Sequence, residues 1–224
     1  MSRDDIAGRI DAVRATLPDG VGLVAVSKFH PAEAVMAAYE AGQRSFGESR
    51  VQEFEQKAAC LSSDINWHFI GHVQTNKLAR LIGRVALIES VDSLRLLSMI
   101  DRLSAERGVV TRVLMQVHVA AEETKFGFDP DELVGWFASR GFESLRATHI
   151  CGIMGMATNT DDEERVRADF RRIADTHRRI LEAAPDLRGF DTVSMGMSDD
   201  YPAAIECGST LVRVGTAIFG PRAY

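Results

Sequence analysis

Val21-Gly22-Leu23-Val24-Ala25-Val26-Ser27-Lys28 is an apolar run of strand length that ends on a lysine. The turn residues Pro18-Asp19-Gly20 precede this run, and a segment with helical spacing begins after it at Pro31. A short, continuously apolar strand followed by a helix is typical of a parallel sheet that is covered on both faces. The same unit recurs along the chain, and the number of its repeats predicts the fold.

Seven further apolar runs follow the first, and amphipathic segments separate them. Because no hairpin turns join the runs, we expect parallel strands with helices outside them. Eight such units predict an α/β fold, a single (β/α)8 TIM barrel formed by residues 1–224. A doubly wound open sheet is the alternative, but no Gly-x-Gly-x-x-Gly motif follows the first strand. The predicted strands are 21–26, 44–46, 67–70, 85–88, 112–119, 147–154, 192–195 and 211–214.

Two helices carry more detailed predictions. The N-terminal helix is expected to cover the gap beside the eighth strand, which has little helix after it. The long helix after the sixth strand is expected to begin at a capping box formed by Thr160 and Glu163. Its predicted buried stripe consists of Val166, Phe170, Ile173, His177, Ile180 and Leu181.

The composition narrows the class of protein. The chain has 224 residues, is 46% hydrophobic and carries a formal net charge of -6, which argues against a partner among nucleic acids. Its three cysteines are far apart and form no Cys-x-x-Cys motif, so we expect no metal site and a reducing compartment. The sequence has no signal peptide and no apolar run of membrane-spanning length. We therefore expect a cytoplasmic protein that does not bind membranes.

Polar residues gather at the C-terminal ends of the predicted strands, where a barrel builds its active face. Lys28 directly ends the first strand, so its amine is expected in the barrel mouth. Partial burial there would favour the neutral amine, which is a nucleophile toward carbonyl groups. A solvated lysine at a strand end is the alternative, and the neighbouring loops must decide between the two.

The loops after the seventh and eighth strands have the composition of a phosphate site. They read Ser194-Met195-Gly196-Met197-Ser198 and Gly215-Thr216, in the place where barrels commonly bind phosphate. Glycines allow close approach of the backbone, and N–H and hydroxyl groups donate to phosphate oxygens; two tight turns would have the same composition. Arg213 shares a strand face with Gly215, so it either points at a ligand or pairs with an acid.

These segments resemble the pyridoxal phosphate homeostasis protein family. The resembling motifs occur in the family's order and span nearly the whole chain, which makes the resemblance specific. They are Ala25-Val26-Ser27-Lys28, Phe46-Gly47-Glu48, His68-Phe69-Ile70-Gly71, Gln74-Thr75-Asn76-Lys77, Gly152-Ile153-Met154, Ser194-Met195-Gly196-Met197-Ser198-Asp199 and Arg213-Val214-Gly215-Thr216-Ala217-Ile218-Phe219-Gly220.

The resemblance implies a barrel like the N-terminal domain of alanine racemase, with pyridoxal 5'-phosphate (PLP) as a Schiff base on Lys28. It implies that Arg213 faces the pyridine nitrogen of PLP. Ser198, Gly215 and Thr216 would hold the phosphate, and Ser194 and Gly196 would shape the same cradle. Further candidate cofactor contacts are His68, Met154, Lys125 and Ser49, which stands where the family usually has asparagine.

The choice between enzyme and carrier depends on Arg213 and on whether a second acid/base residue is present. Because arginine stays protonated and only donates hydrogen bonds, a ring nitrogen that it contacts stays unprotonated, and PLP is then a weaker electron sink. Racemases use the same arrangement together with a second acid/base residue, which a partner subunit's C-terminal domain supplies in alanine racemase. We expect this chain, which ends soon after the eighth strand, to lack that domain.

We therefore expect a monomeric, non-enzymatic protein that buffers PLP and delivers it to PLP-dependent apoenzymes. A weak PLP-dependent amino-acid racemase is the first alternative, with a tyrosine or histidine of the barrel mouth as its second base; His68 and His72 are the candidate histidines. In the second alternative, Lys28 forms a Schiff base with a phosphorylated sugar, as in a class I aldolase.

Overall fold

Eight parallel strands form a closed barrel. The computed structural model of the chain describes residues 3–122 and 126–221. Neighbours in sequence are neighbours in the sheet, and the eighth strand pairs with the first, which confirms the predicted (β/α)8 barrel. The strands are β1 Gly22–Val26, β2 Ser45–Glu48, β3 Asn66–Phe69, β4 Leu87–Val91, β5 Thr111–Gln116, β6 Thr148–Met154, β7 Thr192–Ser194 and β8 Leu211–Val214.

Helices connect the strands on the outside of the barrel. A 3-10 helix, Thr75–Arg80, follows β3, and a second 3-10 helix spans Gly141–Ser144. The α-helices are α1 Arg3–Arg14, α2 Ala32–Glu40, α3 Val51–Cys60, α4 Leu94–Glu106, α5 Pro130–Ala138, α6 Glu163–Ala183, α7 Tyr201–Glu206 and α8 Thr216–Phe219. Within the described ranges, no helix has both the length and the apolar character needed to cross a membrane.

The strand bounds differ from the predictions where polar residues pair in the sheet or where apolar residues do not. Gly47 and Glu48 end the apolar signal of the second strand, yet they pair with His68 and Phe69 and so extend β2 to Glu48. In the opposite sense, β5 ends at Gln116, although the apolar pattern continues to residue 119. Val117 instead forms an isolated bridge with Phe128, because the chain leaves the barrel wall there.

The start of α6 corrects one prediction. Asp162 caps the helix, and its Oδ1 accepts hydrogen bonds from the backbone N–H groups of Glu164 (3.1 Å) and Arg165 (3.2 Å). The predicted capping box of Thr160 and Glu163 is therefore wrong, because Asp162 directly precedes the first helical residue, Glu163, and its carboxylate supplies the capping oxygen. The predicted stripe holds for Val166, Phe170, Ile173 and Ile180, whereas His177 is half-buried and Leu181 is exposed.

Apolar side chains fill two layers. The larger layer lies between the barrel wall and the helices, and a smaller one inside the barrel includes Leu87, Leu114, Cys151 and Met154. Helix α1 packs against α2 and α8, which confirms that the N-terminal helix covers the barrel beside β8. With the sides covered by helices, the open ends of the barrel are the places where a ligand can reach strand residues.

Candidate functional site

A cavity of about 230 Å³ opens at the C-terminal ends of the strands. This volume is slightly below the roughly 300–1,000 Å³ of most small-molecule pockets, so the cavity suits a compact ligand. Its lining combines apolar side chains with one lysine, one arginine and hydroxyl groups. The lining residues are Val26, Lys28, His30, Ile70, Met154, Met156, Met197, Ser198, Asp199, Arg213, Gly215 and Thr216.

Lys28 lies where β1 ends, as predicted. Val26 and Lys28 both line the cavity, as the two-residue repeat of a strand requires. A tight turn follows, in which the N–H of His30 donates to the Ser27 carbonyl at 3.1 Å. Phe29, inside this turn, has a φ of 67°, a left-handed conformation that is strained for a bulky residue. The lysine is therefore carried by a short, closely defined turn.

Ser198, Gly215 and Thr216 form a polar cradle at one side of the cavity. The Ser198 Oγ accepts hydrogen bonds from the N–H groups of Gly215 (3.2 Å) and Ala217 (3.3 Å). This leaves the Ser198 hydroxyl hydrogen for a further acceptor. A Cβ on Gly215 would lie 3.1 Å from the Val26 carbonyl oxygen, so the close approach of β8 to β1 explains this glycine.

Gly196 shapes the same cradle from the loop after β7. Its φ is 95°, and a Cβ there would lie 2.6 Å from the Cβ of Ala204. Both the backbone conformation and the close contact therefore require glycine. The next residues, Met197 and Ser198, can then turn into the cavity, which they both line.

Arg213 forms part of the cavity lining and is otherwise enclosed. It is 4% exposed, its Nη2 donates to the Gly155 carbonyl at 3.0 Å, and its Nη1 donates to the Ser194 Oγ at 2.6 Å. Ser194 is fully buried and is not among the cavity-lining residues. The structure thus places Ser194 behind the cradle, as a partner of Arg213, rather than in the cradle where we expected it.

A buried polar chain continues from Arg213 through the inside of the barrel; we refer to His68, Glu89, Ser194 and Arg213 as the interior chain. The Ser194 Oγ donates to Glu89 Oε2 at 2.6 Å, and His68 Nδ1 lies 2.6 Å from Glu89 Oε1. The Arg213 Nη1 is 3.9 Å from Glu89 Oε2. One carboxylate therefore joins a histidine and an arginine that lie on different strands.

The charges of the interior chain depend on one another. Burial alone would raise the pKa of the Glu89 carboxyl, but the hydrogen bond and charge of His68, with the charge of Arg213 and the Ser194 hydroxyl, hold that pKa below its ordinary value. Burial lowers the pKa of Arg213, and the charge of Glu89 opposes that shift. Arg213 therefore has both of the partners predicted for it as alternatives, because it lines the cavity and lies beside the acid Glu89.

This arrangement predicts a loss of stability in acid. Because the pKa of Glu89 is lower in the folded chain than its ordinary 4.5, its contribution is fully present above 4.5 and is lost as the pH falls below it. Between about pH 5.5 and about pH 3.5, the free energy of unfolding in urea should fall more steeply for the wild type than for Glu89→Gln. An equal fall in the free energy of unfolding of the two proteins would contradict a lowered pKa for Glu89 in the folded chain.

The remaining predicted contacts lie in several places. Met154 lines the cavity. His68 does not: its ring faces a separate cavity of about 580 Å³ at the N-terminal ends of the strands, so its expected position in the mouth is corrected. His68 lies two residues before Ile70 in the sequence, so its side chain lies nearer the N-terminal ends of the strands. Ile70 does line the Lys28 cavity. Ser49 follows β2 but does not line the cavity, and Lys125 lies outside the described residues.

The second histidine proposed as a base is also engaged elsewhere. His72 Nδ1 lies 2.8 Å from Asp92 Oδ2, and its ring stacks on Phe126 with centroids 3.9 Å apart. It lines a neighbouring cavity of about 500 Å³ that does not include Lys28. Neither histidine named in the sequence argument therefore faces the lysine.

Several residues that line the cavity were not predicted as site residues, and neither was Glu89 at the centre of the interior chain. His30, Ile70, Met156, Met197 and Asp199 all follow strand ends, and that position was the available signal. Glu89 had no such signal, because it lies within an apolar strand and its partner Ser194 is 105 positions away in the sequence. Only the closure of the barrel brings these two residues together.

Comparisons with known proteins agree with this geometry. The profile described as "Alanine racemase, N-terminal domain" matches residues 1–223. The pyridoxal phosphate homeostasis protein of Haemophilus influenzae is 36% identical over 209 residues, which cover 91% of this chain and 86% of that protein. The chain belongs to the pyridoxal phosphate homeostasis protein family.

Other members of the family extend the comparison. The pyridoxal phosphate homeostasis protein of Pseudomonas aeruginosa is 40% identical over 212 residues, covering 92% of this chain and 87% of that protein. A solved structure of PipY from Synechococcus elongatus, with PLP bound, superposes with a TM-score of 0.89 at 37% identity. That match covers 96% of this chain and the whole of PipY, so the likeness extends over the complete barrel.

Proposed function

We propose that this protein binds PLP in the cavity at the C-terminal ends of the strands and acts in PLP homeostasis, with the cofactor held as a Schiff base on Lys28. The observation that carries the proposal is the convergence of Lys28, the Ser198 cradle and Arg213 on one cavity. PipY supports it, because that relative has been solved with PLP bound.

The residues present fit each part of PLP. Ser198, Gly215 and Thr216 would hold the phosphate, while Arg213 would donate to the ring nitrogen. Val26, Ile70 and Met154 supply apolar surface for the ring faces. When bound, PLP supplies an aldehyde that forms a reversible bond with an amine. The protein's own contribution is to present the Lys28 amine and to satisfy the phosphate charge.

A carrier is favoured over an enzyme. The relatives are named for homeostasis of PLP rather than for a reaction. In addition, Arg213 donates hydrogen bonds only, which leaves the ring nitrogen unprotonated and weakens the electron sink, so catalysis would also need a second acid/base residue in the cavity. We propose that residues 1–224 form one PLP-binding domain that is monomeric and cytoplasmic. PLP-dependent apoenzymes would receive the cofactor from it.

A weak amino-acid racemase is the second candidate. One observation favours it, because the His30 imidazole lines the same cavity as Lys28 and imidazole is a common acid/base group. Exchange of the alanine Cα hydrogen in D2O, measured with the PLP-loaded protein, tests this candidate. Exchange that disappears in His30→Ala would favour the racemase, and exchange no faster than with free PLP would favour the carrier.

Removal of the Ser198 hydroxyl should weaken PLP binding selectively. Hydrogen bonds to charged groups contribute about 1.5–3 kcal/mol, so Ser198→Ala should raise the Kd for PLP about 10- to 100-fold. Pyridoxal, which lacks the phosphate, should bind the variant and the wild type alike. Fluorescence titration of both ligands measures the effect. An unchanged Kd for PLP, or an equal loss for pyridoxal, would remove Ser198 from the phosphate cradle.

A further inference from the structure

A buried charged cluster lies on the outer side of the barrel wall, next to Lys28. Lys57 of α3 is 6% exposed, and its Nζ donates to Glu48 Oε1 at 2.6 Å and to the Ser27 carbonyl oxygen at 2.7 Å. The Ser27 Oγ donates to the same Glu48 oxygen at 2.6 Å. The residue that immediately precedes Lys28 is thus held at both its carbonyl and its hydroxyl.

Glu53 holds the residue on the other side of Lys28. Its Oε2 accepts a hydrogen bond from the backbone N–H of Phe29 at 2.8 Å and lies 3.9 Å from Lys57 Nζ. This bond falls on the residue with the left-handed backbone, which persists only where its surroundings hold it. We call Glu48, Glu53 and Lys57 the strand-end clamp, because together they hold the backbone on both sides of Lys28.

Stability alone does not account for this clamp. Buried ion pairs are expensive to desolvate, and apolar residues of similar volume often stabilise a protein as well or better. Burial raises the pKa of the Glu48 carboxyl, which the charge and hydrogen bond of Lys57 offset only in part. Within the described part of the chain, Glu48 Oε2 is buried without a hydrogen-bond partner. The cluster thus carries costs that a purely structural contact would avoid.

We propose that the strand-end clamp positions the Lys28 amine for bond formation with the PLP aldehyde. This inference rests on the proposed function. In that step Lys28 Nζ forms a C=N bond with the aldehyde carbon, and the aldehyde oxygen leaves as water with the two amine hydrogens. The hydrogen bonds that define the clamp are made to Ser27 and Phe29, the residues on either side of Lys28. They fix the turn from which Lys28 extends, so their loss should slow bond formation and leave the phosphate cradle intact.

The test separates bond formation from binding. The rate of adduct formation is measured by trapping with borohydride at intervals after mixing with PLP. Non-covalent affinity is measured with pyridoxine 5'-phosphate, in which an alcohol replaces the aldehyde. Glu53→Ala should slow adduct formation at least tenfold and change the analogue's Kd less than twofold. Glu53→Gln keeps an oxygen acceptor for the Phe29 N–H and should restore most of the rate.

Glu55→Ala is the matched control, because Glu55 lies on the same helix and pairs with Arg80 and Arg84 at the surface. Its adduct rate should equal that of the wild type. Lys57→Met tests the other arm of the clamp and should also slow the adduct rate. Unchanged rates in Glu53→Ala and Lys57→Met, or a parallel loss of analogue affinity, would overturn the positioning role. If the wild type itself forms no adduct, the proposed function fails as well.

Discussion

Lys28→Ala is expected to abolish covalent retention of PLP. The amine that closes the Schiff base is gone, so the visible absorbance band of the lysine-bound cofactor should disappear and the cofactor should be removed by dialysis. The phosphate cradle and Arg213 lie on other strands, so the folded variant should still bind PLP, although weakly and reversibly. Absorbance spectra before and after dialysis, recorded beside the wild type, measure both effects.

Lys77→Ala is the control for this variant. Lys77 lies in the 3-10 helix Thr75–Arg80 and is not among the residues that line the cavity. Its spectrum and its retention of PLP should match those of the wild type. Retention of PLP by Lys28→Ala after dialysis would show that another amine holds the cofactor.

Glu89→Leu is expected to cause the largest loss of stability. Glu89 is fully buried and joins His68 to Arg213 through the interior chain. Removal of one member of a buried ion pair typically costs about 3–5 kcal/mol, because the remaining charge stays buried without its partner. Urea unfolding of the wild type and the variant measures this difference in the free energy of unfolding.

Two further variants test whether the loss of stability in Glu89→Leu comes from the buried, unpaired charges. Glu106→Leu removes a carboxylate from the exposed pair with Arg102, and exposed pairs contribute little, so it should unfold nearly as the wild type does. The triple variant Glu89→Leu/His68→Leu/Arg213→Met leaves no unpaired charge and should recover part of the lost stability. A Glu89→Leu variant as stable as Glu106→Leu would contradict the role of the interior chain.

Much of the fold could be predicted because each strand is a short apolar run with its own turn signals. The bounds of β8 agree with the structure, and β6 and β7 differ from it by one residue. The less accurate bounds fall where polar residues pair in the sheet, as in β2, or where apolar residues leave it, as after β5. An apolar pattern indicates which residues are buried. Buried residues and residues that pair in the sheet are only partly the same.

The site could be predicted where it depends on strand ends. Lys28, Ser198, Gly215 and Thr216 all lie within four residues after the end of a strand, and the cavity brings all four together. Depth within the barrel could not be predicted in the same way. The sequence predicts His68 near the mouth, yet it lies on the opposite side of Glu89 from Arg213, because its position depends on how the strands are staggered.

Residues that support another site residue, and do not line the cavity themselves, were the hardest to predict from the sequence. Glu48 and Ser27 belong to the motifs that resemble the family, but their sequence neighbours do not show that Lys57, thirty positions from Ser27, joins them. Ser194 likewise gave the signal of a loop hydroxyl and is instead a partner of Arg213. In both cases the contact joins elements that meet only after the barrel closes.

The most direct test of the central claim is to locate the cofactor on the chain. The protein is incubated with PLP, reduced with borohydride, digested and analysed by mass spectrometry. The chain has four lysines, Lys28, Lys57, Lys77 and Lys125, so each candidate amine can be examined in turn. We predict one reduced PLP per chain, on the peptide that contains Lys28. An adduct on another lysine, or none at all, would contradict Lys28 as the residue that holds PLP.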